Sequence, residues 1–276
     1  MPTMAGNTIS FISANYVARA LNYTGKSINE WGKHDAATVE ACGKSSEHFM
    51  AVARDVSDAG FDAIDVWSAH CHWQKHDRDD YLEQVKGICS NFDLSITSYA
   101  GGIWAESLEE IDKPFRFMKQ LGAPILAGGA GGKPPYDQLL DKIDEACRKY
   151  GVRFAYENHP EKTPADILAK AGEGKYPKSI GVALDTGWCG TQGLDAVEAV
   201  KQVRERLFIL HLKDVEAAGG HETCALGEGV VNCEGVVRYL VDSGWEGTIG
   251  IEHEPFNRDP MPEVKTSFKR LKAWLK

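Results

Sequence analysis

Short apolar runs alternate along this chain with longer segments whose apolar residues recur at helical spacing. Eight of the runs are almost continuously hydrophobic, as expected of parallel strands that are buried on both faces. We therefore predict strands over residues 8–13, 63–67, 94–99, 125–128, 153–158, 181–185, 207–212 and 248–252.

The segments between these strands have the pattern of amphipathic helices. In the last one, Val264, Phe268, Leu271 and Leu275 are spaced by 4, 3 and 4 residues, which places them on one helix face. Glycines stand where a helix would end before the next strand, namely Gly60, Gly122, Gly151 and Gly244. Eight strand–helix repeats in 276 residues predict an α/β chain folded as a single-domain (β/α)8 TIM barrel over residues 1–276.

Two connections at the predicted barrel mouth are unusual. Residues 14–43 form a long connection, and connections of that length are usually functional, so we expect either a lid or substrate wall or simple packing. The glycine-rich stretch GGAGGKPP after the fourth strand lacks the Gly-Lys-Ser/Thr ending of a phosphate loop, and we predict a flexible loop there.

The charge and cysteine content narrow the choice of partners and compartment. The formal net charge is -9 and there is no basic run, which argues against a nucleic-acid partner and favours a neutral or polar small substrate. The sequence shows neither a signal peptide nor an apolar run of the roughly 18 residues that would span a membrane. The 7 cysteines include no Cys-x-x-Cys pair, so we expect reduced thiols in a cytoplasmic protein.

Ligand-type residues end four consecutive predicted strands: Glu157, Asp185, His211 and Glu252. Because the carboxyl ends of barrel strands form the site in TIM barrels, we expect these side chains to converge. Each carboxylate alone has an ordinary explanation as a helix cap, but three negative charges in one buried mouth are costly without a cation. The set predicts one divalent metal ion, Mn²⁺ first, with Mg²⁺, Co²⁺ or Zn²⁺ as alternatives.

Five motifs resemble those of the xylose isomerase-like barrels, which include sugar phosphate isomerases and epimerases. They are YENHP (156–160), ALDTG (183–187), HLKD (211–214), LGEGVV (226–231) and GTIGIEHEP (247–255). The resemblance implies that the four strand-end residues bind the metal. Similarity to the ketose 3-epimerases within that family further implies that Glu157 and Glu252 exchange the substrate proton as an acid/base pair.

The sequence departs from the ketose 3-epimerase pattern at Trp188, where those enzymes have a substrate-binding histidine. An indole there suits stacking on a ring, although it could also be a packing residue. We predict further substrate contacts at the mouth from His159, Lys213, His72 and Trp73. His221, Glu228, His253 and Glu254 are weaker candidates near the site.

The metal site supports several functions. The first is an isomerase or epimerase that abstracts a proton next to the carbonyl of a keto-sugar or polyol. The second is a lyase, because inosose dehydratases and C-glycoside deglycosidase subunits resemble these motifs and start with the same deprotonation. An endonuclease IV-like repair enzyme and a non-catalytic sugar-binding protein are weaker alternatives. The sequence is compatible with a phosphorylated or an unphosphorylated substrate, and with a homo-oligomer or a partner subunit.

Overall fold

Eight parallel strands close into a barrel in which neighbours in sequence are neighbours in space. The computed structural model describes residues 6–76 and 79–276. The barrel strands, β1 to β8, are Thr8–Ile12, Ala63–Trp67, Ser95–Ala100, Ile125–Gly128, Arg153–Glu157, Ile180–Asp185, Leu207–Leu212 and Thr248–Ile251. The predicted (β/α)8 barrel is confirmed, and each predicted strand end lies within one residue of the observed end.

Helices connect the strands and cover the outside of the barrel. Those of the described residues, α1 to α10, are Trp31–Lys44, Glu47–Asp58, Asp79–Asn91, Asp112–Leu121, Tyr136–Tyr150, Pro164–Lys170, Thr186–Gln192, Ala196–Val203, Cys233–Asp242 and Met261–Trp274. Short 3-10 turns occupy Ser13–Tyr16, Arg19–Leu21, Ile28–Glu30, Leu108–Ile111 and Arg204–Arg206. None of the helices in the described ranges is long and apolar enough to cross a lipid bilayer.

Both unusual connections are more regular than the sequence suggested. The connection after β1 contains three 3-10 turns followed by almost the whole of helix α1. Within the glycine-rich stretch, Ala130–Gly132 forms a short parallel ladder with Ile103–Ala105. The prediction of a flexible loop is therefore wrong at these three residues, because backbone pairing with a second connection orders them.

Side-chain alternation divides the strand residues between two environments. Leu126, Phe154 and Val182 belong to the large core between the strands and the helices. Ala127, Ala155, Ala183 and Ile209 instead form a separate small cluster together with Ile125. Because successive residues of a strand point to opposite faces, the residues two positions beyond this small cluster share its face. These include Glu157, Asp185 and His211.

Measurements of the free energy of unfolding can test why glycine ends the helices. Gly151 follows α5 with φ +68°, and a Cβ built there meets nothing within 4 Å. Gly151→Ala should therefore lower the free energy of unfolding by about 1–2 kcal/mol through left-handed backbone strain alone. Gly87 lies exposed inside α3 with equally open surroundings, so Gly87→Ala should raise stability by about 1 kcal/mol.

Urea unfolding of both variants measures the two effects. Equal changes of the same sign in the two variants would show that backbone conformation is not what selects glycine after α5.

Candidate metal centre

Three of the predicted ligands meet at the mouth of the barrel. One ligand atom each from Glu157, His211 and Glu252 lies within 4.8 Å of the others. His211 Nδ1 is 2.5 Å from Glu157 Oε1 and 3.5 Å from Glu252 Oε2. Both carboxylates therefore present an oxygen to the same imidazole nitrogen, so these three side chains converge as their strand-end positions predicted.

The charges of this cluster are strongly coupled. Burial opposes ionisation of Glu157, but the charge and hydrogen bond of His211 outweigh it and lower the pKa of Glu157 to about 2. Burial likewise opposes the charge on His211, yet the Glu157 carboxylate raises the pKa of this imidazole to about 10. The Glu157–His211 contact is thus a buried ion pair.

The cluster fits a divalent cation by its chemistry. Glu252 Oε2 is buried and has no hydrogen-bond partner among the described residues. An unpartnered buried carboxylate oxygen is costly, and it is the kind of atom that a cation would satisfy. Two carboxylates and one imidazole are a donor set for Mn²⁺, Co²⁺ or Zn²⁺, and the residues that would hold the ion are Glu157, His211 and Glu252.

Asp185, the fourth predicted ligand, lies outside this group of three. Its Oδ1 caps α7 by accepting hydrogen bonds from the amides of Gly187 (2.7 Å) and Trp188 (3.2 Å). Its Oδ2 lies 3.6 Å from the ammonium of Lys213. The structure thus shows the helix-capping role that such a residue ordinarily has. Metal ligation by the second oxygen stays a prediction.

A buried lysine brings a positive charge close to the predicted ligands. Lys213 Nζ is 2.5 Å from Glu254 Oε2 and 3.1 Å from Glu252 Oε1. Burial opposes its charge, but Glu252 and Glu254 raise the pKa of this ammonium well above its ordinary value. Burial raises the pKa of Asp185 to about 7 and raises the pKa of Glu254 well above its ordinary value. The charge of Lys213 lowers both pKa values but does not outweigh burial.

The motifs HLKD and LGEGVV are joined through Asp214. This buried carboxylate accepts four backbone hydrogen bonds of 2.9–3.0 Å, from the amides of Val215, Gly227, Gly229 and Val231. A Cβ at Gly229 would stand 2.4 Å from Asp214 Oδ1, so the loop needs glycine there. Asp214 therefore anchors the loop that follows β7, beside Lys213.

The cluster opens into a cavity of about 890 Å³. Of the predicted site residues, Glu157, His159, Asp185, Trp188, His211, Lys213 and Glu252 line it. Trp188 stands between two imidazoles, with ring centroids 5.1 Å from His159 and 5.0 Å from His221. The Nε2 atom of His159 is 3.8 Å from Glu157 Oε2. Trp31, from the long connection after β1, also lines the cavity.

Two predicted contacts lie elsewhere. His72 and Trp73 do not line the cavity, which corrects the prediction of a sugar-binding loop after β2. The His72 Nδ1 atom instead accepts a hydrogen bond from the Gln74 amide at 3.1 Å and stabilises a turn. Trp67 lines the cavity instead. It is the last residue of β2, and the chain leaves the cavity after this strand.

Other site residues are absent from the predicted set. Glu161 lines the cavity and accepts a 2.7 Å hydrogen bond from the Tyr156 hydroxyl. Trp104 lines it from a short strand outside the barrel. Asp65 does not line the cavity but is fully buried on β2, where it accepts hydrogen bonds from Ser10 (3.0 Å) and Thr97 (2.5 Å) and its charge helps to raise the pKa of His211. Of these three residues, Asp65 is the one that the sequence could have indicated, because it is a carboxylate inside an apolar strand.

Comparisons with known proteins agree with the barrel fold. The family model described as xylose isomerase-like TIM barrel matches residues 53–274. Fructoselysine 3-epimerase of Escherichia coli O157:H7 is 21% identical over 267 residues, covering 85% of this chain and 96% of that protein. An uncharacterized protein of Methanocaldococcus jannaschii is 28% identical over 122 residues, but this match covers only 41% of that protein.

Solved structures share the fold at low sequence identity. A D-tagatose 3-epimerase-like protein superimposes with a TM-score of 0.68 at 17% identity, over 97% of each chain. A probable 3-DHS dehydratase, AsbF of Bacillus anthracis, has a TM-score of 0.66 at 16% identity, covering 96% of this chain and 98% of the other. An IolI protein with a bound zinc atom has a TM-score of 0.64 at 15% identity, over 97% of each chain.

Asp214→Asn should loosen the loop after β7. The amide group would turn a donor towards two backbone N–H groups, so we expect a loss of about 3 kcal/mol in unfolding free energy. Hydrogen exchange should speed up selectively over residues 226–231. Asp195→Asn is the control, because Asp195 caps α8 at an exposed position and asparagine caps equally well. Equal destabilisation by both variants would contradict the anchoring role.

Binding of Mn²⁺ should release protons and strengthen as pH rises. With pKa values of about 10 for His211 and about 7 for Asp185, protons occupy the cluster near neutral pH. A ligand must lose its proton to bind a cation, so we expect release of about one proton per ion. Titration calorimetry in buffers of different ionisation enthalpy measures it, with His221→Gln as control. Binding without proton release would refute this view of the cluster.

Proposed function

Since the chain belongs to the xylose isomerase-like TIM barrel family, we propose that it is a divalent-metal-dependent isomerase or epimerase. The proposed substrate is a keto-sugar or related polyol, and the reaction begins with removal of a proton next to its carbonyl. The whole chain would act as one catalytic barrel. The formal net charge of -9 and the cavity of about 890 Å³ suit a small neutral carbohydrate better than a nucleic acid.

One observation carries the proposal, the convergence of Glu157, His211 and Glu252 in the lining of a large cavity. When bound there, a divalent cation stabilises negative charge that develops on neighbouring substrate oxygens. Mn²⁺ is our first choice, and the zinc atom bound by the IolI protein supports a divalent ion in this kind of barrel.

The two glutamates are proposed as the acid/base pair. Each directs one oxygen to His211 and keeps a second oxygen for other contacts. In Glu252 that second atom accepts a hydrogen bond from Lys213, whereas the second oxygen of Glu157 faces the His159 imidazole at 3.8 Å, beyond hydrogen-bond distance. Glu157 is therefore the freer proton acceptor, and Glu252 would return a proton from another side of the cavity, with the Lys213 ammonium that donates to its Oε1 as the proton source.

The same residues would hold the substrate during proton transfer. Lys213 and His159 carry donors close to the two glutamates, so both can hydrogen-bond substrate oxygens. Trp188 offers an apolar face next to His159. Fructoselysine 3-epimerase, the relative matched over almost its whole length, is named as an epimerase of a ketose derivative, which supports proton exchange at a carbon as the reaction.

A lyase is the second candidate, and Trp188 is the observation that favours it. Its indole lines the cavity where a ring could stack, which suits a cyclic or substituted substrate better than an open-chain ketose. A lyase would start with the same deprotonation and then expel water or a substituent. The fold neighbour named as a probable 3-DHS dehydratase is consistent with such an outcome on this scaffold.

Proton exchange tests the proposed reaction. In D₂O with Mn²⁺ and a panel of keto-sugars, NMR should show deuterium entering the carbon next to the carbonyl of at least one sugar. Loss of water or of a substituent in the same samples would identify the lyase. Exchange with no sugar in a broad panel, in the presence of each of the four metals, would overturn the proposal.

Variants test the roles of the glutamates. Glu252→Gln and Glu157→Gln should each slow exchange by at least about 10²-fold while preserving the fold, because each removes a proton-transfer group. Glu228→Gln is the matched control, since Glu228 pairs with Arg270 on the surface and does not line the cavity. Full activity in Glu252→Gln, measured by the same NMR assay, would contradict the assignment.

A further inference from the structure

One large aromatic side chain of the cavity is left open to solvent. Trp104 is 69% exposed, although it lies in the short strand Ile103–Ala105 and lines the cavity. Within the described ranges, the other exposed large hydrophobic residue is Val230, which does not line the cavity. The apolar surface at Trp104 is therefore local to the cavity rather than part of a broad face for a protein partner.

The indole of Trp104 rests on a bed of glycines. A Cβ at Gly131 would stand 2.6 Å from Cζ3 of the ring, and one at Gly129 would stand 3.3 Å from Cζ2. Residues two apart in an extended chain share a face, so both glycines back the same part of the indole. Gly102 is equally close, with a built Cβ 2.6 Å from Trp104 Nε1. The missing side chains let the ring lie against the backbone.

This arrangement is continuous with the metal centre. Gly102, Gly129 and Gly131 line the same cavity as Glu157 and His211. Its volume of about 890 Å³ is near the top of the range of roughly 300–1,000 Å³ that encloses drug-sized ligands. A single sugar ring at the metal centre would leave much of this space unfilled.

We propose that Trp104 on its glycine bed is a stacking subsite for a planar, apolar group attached to the sugar. The sugar end of the substrate would lie at Glu157, His211 and Glu252, and its aromatic substituent would cover the open face of the indole. The sugar half of this inference rests on the proposed function. The aromatic half rests on the exposure and support of Trp104 alone.

Three probes separate the two halves: 4-nitrophenyl β-D-glucopyranoside, methyl β-D-glucopyranoside and free 4-nitrophenol. Calorimetry with Mn²⁺ present should show the aryl glucoside binding about tenfold more tightly than the methyl glucoside, because stacking adds to area burial. Free 4-nitrophenol should bind weakly to the same protein. Trp104→Ala should abolish the tenfold preference and the binding of 4-nitrophenol, whereas Trp104→Phe should keep most of both.

Two further variants test the support and the independence of the subsite. Gly131→Ala adds a Cβ in the place of the ring, so it should reduce the aryl preference severalfold without loss of fold. Glu252→Gln should leave 4-nitrophenol binding unchanged even though it stops proton exchange. Failure of the proposed function would therefore appear as absent exchange, and failure of the subsite as absent dependence on Trp104.

Three outcomes would overturn the subsite. One is that neither 4-nitrophenol nor the aryl glucoside binds the wild-type protein. Another is that Trp104→Ala binds both as tightly as the wild type. The third is that Trp104→Ala changes only the oligomeric state in light scattering, which would make Trp104 a contact between copies of the chain.

Discussion

The buried contact of His211 with Glu157 and Glu252 is the interaction around which the rest of the site is arranged. It needs three residues from β5, β7 and the end of β8 to meet, and a closed barrel brings their carboxyl ends to one mouth. The interior face below is apolar, and Ala155 and Ala183 lie two positions before Glu157 and Asp185 on their strands. The barrel therefore places a cluster of charge directly above apolar packing.

Charge compensation is shared between the chain and its proposed ion. Four carboxylates, those of Glu157, Asp185, Glu252 and Glu254, surround two basic side chains, His211 and Lys213. The remaining negative charge is relieved by the raised pKa values of Asp185 and Glu254, that is, by protons. A divalent cation and protons are thus alternative ways to balance one buried cluster. Lys213 therefore compensates part of the negative charge of this cluster, in addition to its proposed contact with substrate.

Charged and aromatic side chains both line the cavity. Glutamates, His211 and Lys213 supply the charge, and Trp31, Trp67, Trp104 and Trp188 supply aromatic surface. Such a combination suits a ligand with a polar reacting part and an apolar remainder. The loop anchored by Asp214 lies beside Lys213 and so links the order of the β7 connection to the charged side chains.

The strands, the barrel and the three converging residues could be predicted from the sequence, because side-chain period and hydrophobic runs are local properties of the chain. Buried parallel strands are nearly continuous in apolar residues, so their ends, and with them Glu157, His211 and Glu252, could be read directly. The sequence also placed Asp185 at a strand end. Whether its carboxylate caps a helix or binds an ion depends on the direction in which the chain continues after the strand.

The distant residues that share the cavity could be identified only from the folded structure. Lys213 meets Glu254 across 41 positions, and Asp214 reaches the loop amides up to 17 positions away. Trp104 enters the cavity because its strand pairs with Ala130–Gly132, while His72 and Trp73 leave it because their segment turns back on itself. Contacts of this kind depend on the path of the connections in space, which no local pattern of residues encodes.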